Sequence, residues 1–303
     1  MLSTKWTEDL IPHLSGKTAI VTGANSGLGF EISKVLAHHG ARVVMACRNS
    51  SKADAAAKEI RQTNPEGEVV VRHLDLSSMA SVSRFSRDFL ENERALQVLI
   101  NNAGHMAINE NRTADGYEMQ FGVNYLAHFA LTSTLMPLLL STPQSRVVSI
   151  SSIAHKFGTM DFGDLMYEKR RYSRWGAYSQ SKLAILLFIL ELNRRLGEHS
   201  TPTALAAHPG VAHTKLGQNG GGLIALGFQL SAPLVAHSAY KGSLPALRAA
   251  TDSHAQGGQY FGPLHSLWGS PEICFPSASA RNSGDARRLW AISEELTGMH
   301  FSI

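Results

Sequence analysis

The sequence predicts an α/β fold built on one doubly wound parallel sheet with helices on both faces. Three features predict it. Short apolar runs of strand length alternate with longer helical patterns along nearly all of the 303 residues. Those runs have little polar alternation, as expected of strands covered on both sides. The first of them passes through a glycine-rich turn directly into a helix. No internal repeat, low-complexity stretch or linker interrupts the alternation, so residues 1–303 are read as a single domain.

Residues 1–16 read as an irregular lead-in. Lys17 to Gly23 is a short apolar run ending in glycine, hence a buried strand. The turn Gly23-Ala24-Asn25-Ser26-Gly27-Leu28-Gly29 follows, and a helical pattern then runs through Phe30, Ile32, Val35 and Leu36 to Gly40. Glycines let a backbone approach a pyrophosphate closely, and a helix N-terminus offers free N–H groups and the positive end of its dipole. A plain tight connection is the alternative reading. The spacing is Gly-x-x-x-Gly-x-Gly rather than Gly-x-Gly-x-x-Gly.

Ala41 to Cys47 is the second strand, and Arg48 ends it. An acidic residue at this place would accept hydrogen bonds from a ribose, whereas an arginine suits a 2′-phosphate. No Asp or Glu lies between Arg42 and Ser51, which favours NADP(H) over NAD; a solvated strand-end charge is the bland alternative for Arg48. A polar helix (Lys52 to Gln62) leads to a third strand, Glu68 to Leu74. Asp75 and Leu76 follow it, with Asp75 open to a ligand role or a cap-and-turn role. A helix from Met79 to Glu91 precedes the fourth strand, Gln97 to Ile100, which runs into Asn101-Asn102-Ala103-Gly104. That tetrapeptide can line a cofactor cleft or simply make a turn.

Thr113 to Leu140 contains a long apolar helix with Asn124 inside it. Asparagine competes for backbone hydrogen bonds and suits a helix interior poorly, so Asn124 calls for a reason; a satisfied buried polar group is the bland one. Ser145 to Ser152 is the fifth strand, ending in hydroxyls. Residues 153–175 form a long connection carrying Phe157, Phe162, Tyr167, Tyr172 and Trp175, read as a rim around an apolar substrate. A helix from Ala177 to Leu196 follows. The sixth strand, Thr203 to Ala207, ends at His208-Pro209-Gly210. Residues 211–235, with the glycine-rich core 217–233, are read as a flap over the substrate, contact with a membrane surface being the alternative. A helix (His237 to Ala250), a seventh strand (Gln259 to Phe261) and a C-terminal extension over 264–303 with a helix from Ala286 to Leu296 complete the chain.

Tyr178 and Lys182 stand four apart near the start of the helix that begins at Ala177, so one helix face carries both. A free phenol titrates near pH 10; a fixed ammonium beside it favours the phenolate. Such a tyrosine can give a proton to a carbonyl oxygen or take one from an alcohol.

Composition excludes several classes. The net charge is +4, and the basic residues are scattered rather than gathered in a stripe, which argues against nucleic-acid binding. Two cysteines form no disulfide framework, and the 14 histidines show no metal-ligand spacing, so no metal is expected. No stretch reads as a signal peptide or an integral membrane span, and a cytoplasmic location is expected.

Thr22-Gly23-Ala24-Asn25-Ser26-Gly27-Leu28-Gly29, Asn101-Asn102-Ala103-Gly104, Asn124, Ser152, Tyr178-x-x-x-Lys182 and Pro209-Gly210 occur in this order. Together they resemble the short-chain dehydrogenase/reductase family over roughly residues 14–262. Met45-Ala-Cys-Arg48, Ser151-Ser-Ile-Ala-His155 and Ala177 to Ala184 are similar to its retinol dehydrogenase and WW-domain-oxidoreductase-like branch. The resemblance implies a single-domain Rossmann fold with a mostly seven-stranded sheet. It implies an NADP(H)-dependent oxidoreductase that passes hydride between the nicotinamide and a carbonyl/alcohol pair of an apolar small molecule. Tyr178 would be the acid/base, and Lys182 would lower its pKa and bind the nicotinamide ribose. Ser152 would hold the reacting oxygen, and Asn124 a water linking Lys182 to solvent. Ser152 is chosen over Ser151 because alternation lets only one of them face the cleft, and the family pattern favours the second. Implied cofactor contacts come from Gly23, Asn25, Ser26, Gly27, Leu28, Gly29, Arg48, Asp75, Leu76, Asn102, Ala103, Gly104, Tyr178, Lys182, Pro209, Gly210, Val211 and Thr214. The two long helices at 113–140 and 177–196 are candidates for packing against a second subunit in a homodimer. Ser152 and Tyr178 lie 26 residues apart, about twice the family's common spacing. A protein that binds NADPH as a sensor or scaffold without turnover is the competing reading.

Overall fold

The computed structural model describes residues 5–63, 65–197, 201–210 and 238–303. The flap expected over 211–235, together with Val211 and Thr214, lies outside them.

Eight strands form one sheet in the order β3-β2-β1-β4-β5-β6-β7-β8. They are β1 (Thr18–Thr22), β2 (Arg42–Cys47), β3 (Val69–His73), β4 (Val98–Asn101), β5 (Arg146–Ile150), β6 (Thr203–Ala207), β7 (Tyr260–Pro263) and β8 (Pro271–Cys274). The first seven run parallel, and only β8 pairs antiparallel, with Phe261 opposite Ile273. The seven expected strands are all present. The eighth was not expected: it is four residues long, begins at a proline and leaves Ile273 exposed, so it carries no apolar pattern. Arg248 fastens it, with Nη1 donating to the Pro271 carbonyl and to Glu272 Oε2 at 3.1 Å.

Helices α1 (Gly27–His38), α2 (Ser50–Gln62) and α6 (Ala239–Thr251) share one apolar core with the lead-in residues Trp6, Ile11 and Leu14. Helices α3 (Met79–Asn92), α4 (Met119–Ser141), α5 (Arg174–Leu196) and α7 (Ser283–Thr297) share the core on the opposite face. That division is the doubly wound arrangement. It explains why β1, β2, β4, β5 and β6 read as continuous apolar runs. Helix α4 is long and apolar enough by composition to cross a membrane, but 78% of that window is buried inside the fold. Its apolarity serves the core.

Helix α7 packs against aromatic side chains of α4 and α5. Trp290 sits edge-on to Phe129, with ring centroids 5.3 Å apart, and stacks on Phe188 at 5.8 Å. Phe301 closes on the same cluster, 4.4 Å from Trp290. The Arg195 guanidinium lies 4.4 Å above the Trp290 ring. Trp290→Ala empties the centre of this cluster and is expected to lower unfolding stability by about 3–5 kcal/mol, read as a drop in the denaturant midpoint.

The topology places the ligand crevice. Strand order reverses between β1 and β4, so the connections from their carboxyl ends leave in opposite directions and open a gap there. Thr22 and Asn101 end those two strands.

Candidate active site

The turn after β1 is built for close approach to a dinucleotide. A Cβ at Gly29 would stand 2.5 Å from the Gly23 carbonyl oxygen and 2.6 Å from Asn102 Nδ2, so helix α1 can sit this tightly against the turn only with glycine there. The side chains of Asn49, Ser78, Glu118, Ser173, Ser238 and Asn282 cap α2, α3, α4, α5, α6 and α7. Among these described helices only α1 lacks a side-chain cap, its N-cap Ser26 making no such bond. An uncapped helix start leaves its first N–H groups available to an anion, as a pyrophosphate-binding terminus requires. The residues therefore fit the pyrophosphate of a dinucleotide.

The floor of the crevice is hydrogen-bonded shut. Asn102 Nδ2 donates to the Thr22 carbonyl at 2.8 Å, and the Thr22 hydroxyl accepts from the backbone N–H of Asn102 and of Ala103, each at 2.9 Å. Asn101 Nδ2 donates to Thr132 at 3.1 Å and to Ser149 at 3.3 Å, joining β4 to α4 and β5. At the end of β2, Arg48 is exposed, and Asn49 caps α2 by accepting from the Lys52 N–H at 2.9 Å. No acidic residue stands in the first turn of α2. Asp75, in contrast, binds its own turn: Oδ1 accepts from the Ser77 N–H at 2.9 Å and the Ser77 hydroxyl at 2.7 Å. Leu76 is buried beside it.

On the other side of the gap, α5 brings Tyr178 and Lys182 over the end of β5. Reciprocal bonds fasten helix to strand. Lys182 Nζ donates to the Ile150 carbonyl at 2.8 Å, and the Ser151 hydroxyl donates to the Lys182 carbonyl at 2.8 Å. Ser151 is thereby committed to structure, whereas the Ser152 hydroxyl accepts from the Ala154 N–H at 3.2 Å and lies close enough to the Tyr178 phenol to draw its pKa down. His155 fixes the Ser152 backbone, its Nδ1 donating to the Ser152 carbonyl at 2.7 Å.

Both side chains of the pair are buried. Tyr178 is only 7% exposed and Lys182 5%. Burial pushes the Tyr178 pKa up, the bond from Ser152 only partly offsetting it. Burial pushes Lys182 down to about 7. The ammonium nitrogen stands 5.7 Å from the phenol ring centre and is held by Ile150. The Lys182 ammonium is thus committed to the Ile150 carbonyl rather than to the phenol oxygen. With its pKa raised, the phenol keeps its proton at neutral pH.

Asn124 lies in a π turn, Gly122–Leu126, that widens α4. It is 1% exposed and fully engaged. Its Oδ1 accepts from the His105 N–H at 2.7 Å, and its Nδ2 donates to the His105 carbonyl at 3.0 Å and the Ser181 hydroxyl at 2.9 Å. A Cβ at position 104 would come within 2.8 Å of that Oδ1, which accounts for Gly104. The Asn124 side chain thus joins the loop after β4 to α5, while its backbone carbonyl stands 3.0 Å from His128 Nδ1.

The long connection between Ser152 and Tyr178 folds on itself instead of lining a rim. Asp164 accepts backbone N–H bonds from Glu168, Lys169 and Arg170 at 2.6–3.2 Å. Tyr172 donates to Glu118 Oε1 at 3.0 Å, Tyr167 lies under the Arg170 guanidinium at 3.7 Å, and Phe162 lies under Arg288 at 4.5 Å. Three of the five aromatics are therefore anchors. Phe157 is 83% exposed, and Trp175 stands edge-on to Tyr178 at 5.9 Å.

Residues 17–221 match the family described as short chain dehydrogenase. The chain belongs to the short-chain dehydrogenase family. Human retinol dehydrogenase 12 is 42% identical over 291 residues, which cover 95% of this chain and 89% of that protein. A crystal structure from Mycobacterium paratuberculosis is 41% identical, superposes with a TM-score of 0.83, and aligns over 99% of this dehydrogenase and 100% of its own chain. The Pseudomonas aeruginosa RhlG/NADP active-site complex is 25% identical with a TM-score of 0.63, covering 83% and 96% of the two chains. This short-chain dehydrogenase is thus an oxidoreductase of the retinol dehydrogenase-like branch, acting on CH–OH groups, in a family that transfers hydride to and from nicotinamide cofactors.

Within the dehydrogenase fold, the glycine turn, Asn102, Ala103, Gly104 and Arg48 follow the carboxyl ends of β1, β4 and β2, and Ser152, Tyr178 and Lys182 gather at the carboxyl end of β5. Pro209 and Gly210 follow β6 at the same end of the sheet. Thr22, Ser181 and His128 also belong to the site's hydrogen bonding and were not singled out. His128 had a readable signal: it lies four residues beyond Asn124, on the same helix face.

Proposed function

We propose that this dehydrogenase uses NADP(H) to interconvert a carbonyl and an alcohol in an apolar small molecule, with Tyr178 as the acid/base. The buried Tyr178 phenol beside the Ser152 hydroxyl, over the end of β5 where Lys182 binds the Ile150 carbonyl, carries the reading. A bound nicotinamide supplies or accepts the hydride. In the reductive direction, Ser152 and Tyr178 both donate to the carbonyl oxygen, and Tyr178 hands over its proton as negative charge grows there. Lys182, fixed by Ile150, supports the resulting phenolate; Asn124 and Ser181 hold the helix turn that presents both. Burial keeps water from competing for the oxygen.

Two observations support NADP(H). Arg48 ends β2, and Asn49 to Lys52 open α2 without a carboxylate. The RhlG complex, at 25% identity, contains NADP. For an apolar substrate the support is Trp175 beside Tyr178 and the relation to a retinol dehydrogenase, whose named substrate is a long apolar alcohol.

Titration with NADPH and NADH, followed by cofactor fluorescence, tests the reading. Wild-type protein should prefer NADPH, and Arg48→Asp should weaken NADPH binding about 10- to 100-fold while sparing NADH, as loss of a charge-assisted contact predicts. Preference for NADH in the wild type would overturn the NADP(H) assignment.

A further inference from the structure

Helix α4 buries an imidazole that none of the steps above uses. His128 is 4% exposed and lies one turn beyond Asn124. Its Nδ1 is 3.0 Å from the Asn124 backbone carbonyl, and its Nε2 is 2.9 Å from the Thr22 hydroxyl. A carbonyl can only accept, so Nδ1 carries the proton. A neutral ring leaves Nε2 as acceptor, and the Thr22 hydroxyl donates to it at 2.9 Å in preference to the Ile100 carbonyl at 3.4 Å. The Thr22 oxygen meanwhile accepts the N–H bonds of Asn102 and Ala103. In this arrangement each group has a defined role, and burial, which pushes His128 down to about 4, keeps the ring neutral.

We propose that His128 is a positioning residue that couples the two halves of the crevice. Through Thr22 it sets the backbone at Asn102 and Ala103, beside the glycine turn. Through the Asn124 carbonyl it fixes the π turn from which Asn124 holds His105 and Ser181. Ser181 in turn donates to the Tyr178 carbonyl at 2.7 Å, so the same imidazole reaches the backbone of the proposed acid/base. The inference rests on the dinucleotide-binding reading above. A merely structural histidine would affect both halves alike, in step with stability; a coupling residue with two separate bonds affects them separately.

Two variants divide the bonds. His128→Asn keeps an amide donor near the place of Nδ1 but is too short to reach Thr22. His128→Gln reaches Thr22 but gives up the Nδ1 donor. His128→Asn is expected to raise the NADPH Kd about tenfold, with a smaller fall in kcat at saturating cofactor. His128→Gln is expected to lower kcat about tenfold, with a smaller change in Kd. Thr22→Val should raise Kd as His128→Asn does, the double variant should add little, and Thr22→Ser should restore binding. Equal shifts of Kd and kcat in both His128 variants, following a fall in Tm, would overturn the coupling, as would full additivity of Thr22→Val with His128→Asn. Wild-type protein that binds neither NADPH nor NADH would overturn the functional reading and the coupling with it. Tight wild-type binding matched by His128→Asn and Thr22→Val would overturn the coupling alone.

Discussion

Tyr178→Phe is expected to lower kcat by about 10²–10⁴-fold, the range that a positioned acid/base supplies, while the Kd for NADPH stays close to that of the wild type. The substitution removes one oxygen from a ring that stays packed against Trp175. It leaves the bonds of Lys182 to Ile150 and of Ser181 to the Tyr178 carbonyl in place, since neither uses the phenol. The buried hydroxyl is lost together with its Ser152 partner contact, so little stability should change. Rapid-reaction measurement of cofactor oxidation, beside a fluorescence titration, separates the two quantities. Retained turnover would remove Tyr178 from the chemistry; lost cofactor binding would make its role structural.

Lys182→Met should also cost at least about 10²-fold in kcat, but with a gain in stability for the protein prepared free of cofactor. The reason is the buried ammonium. Its ordinary pKa of 10.5 falls to about 7 through desolvation. Below pH 7 the lysine is charged in both folded and unfolded chains, and the full penalty of burying that charge is present. Between pH 7 and about 10.5 the unfolded chain holds a proton that the folded chain has shed, so this group makes stability rise with pH. Methionine fills the same volume without a charge and abolishes that rise. At pH 7 and below, the variant should melt a few degrees higher, on the order of 2–4 °C per kcal/mol. A lower Tm for Lys182→Met at pH 6 would mean that the bond to Ile150 outweighs desolvation.

The readable parts of this protein were those whose cause is local. Tyr178 and Lys182 share a helix face because of their spacing, whereas Ser152 lies beyond β5 as the cap of a short 3-10 helix, where strand alternation no longer applies. The glycine turn was legible because a strand precedes it and a helix follows. The parts that escaped depend on partners far away in sequence. Thr22 and His128 are separated by 106 positions, and nothing near either residue announces the other. The aromatics of the connection 153–175 looked like a rim because an exposed aromatic and an anchored one are the same letter. Their anchors, Glu118 and Arg288, come from other elements. Strand β8 is too short and too exposed to show a period, and it exists because β7 offers an edge. Desolvation of Tyr178 and Lys182 was not legible for a related reason: proximity is visible in a spacing, but burial is set by the whole fold.

Hydride transfer itself tests the central claim most directly. Wild-type protein would be mixed with NADPH deuterated at C4 and with a panel of apolar aldehydes and ketones, and the products analysed by mass spectrometry. The account predicts an alcohol carrying deuterium on the former carbonyl carbon. Tight NADPH binding with no labelled alcohol from any member of the panel would contradict it and favour a cofactor-sensing role.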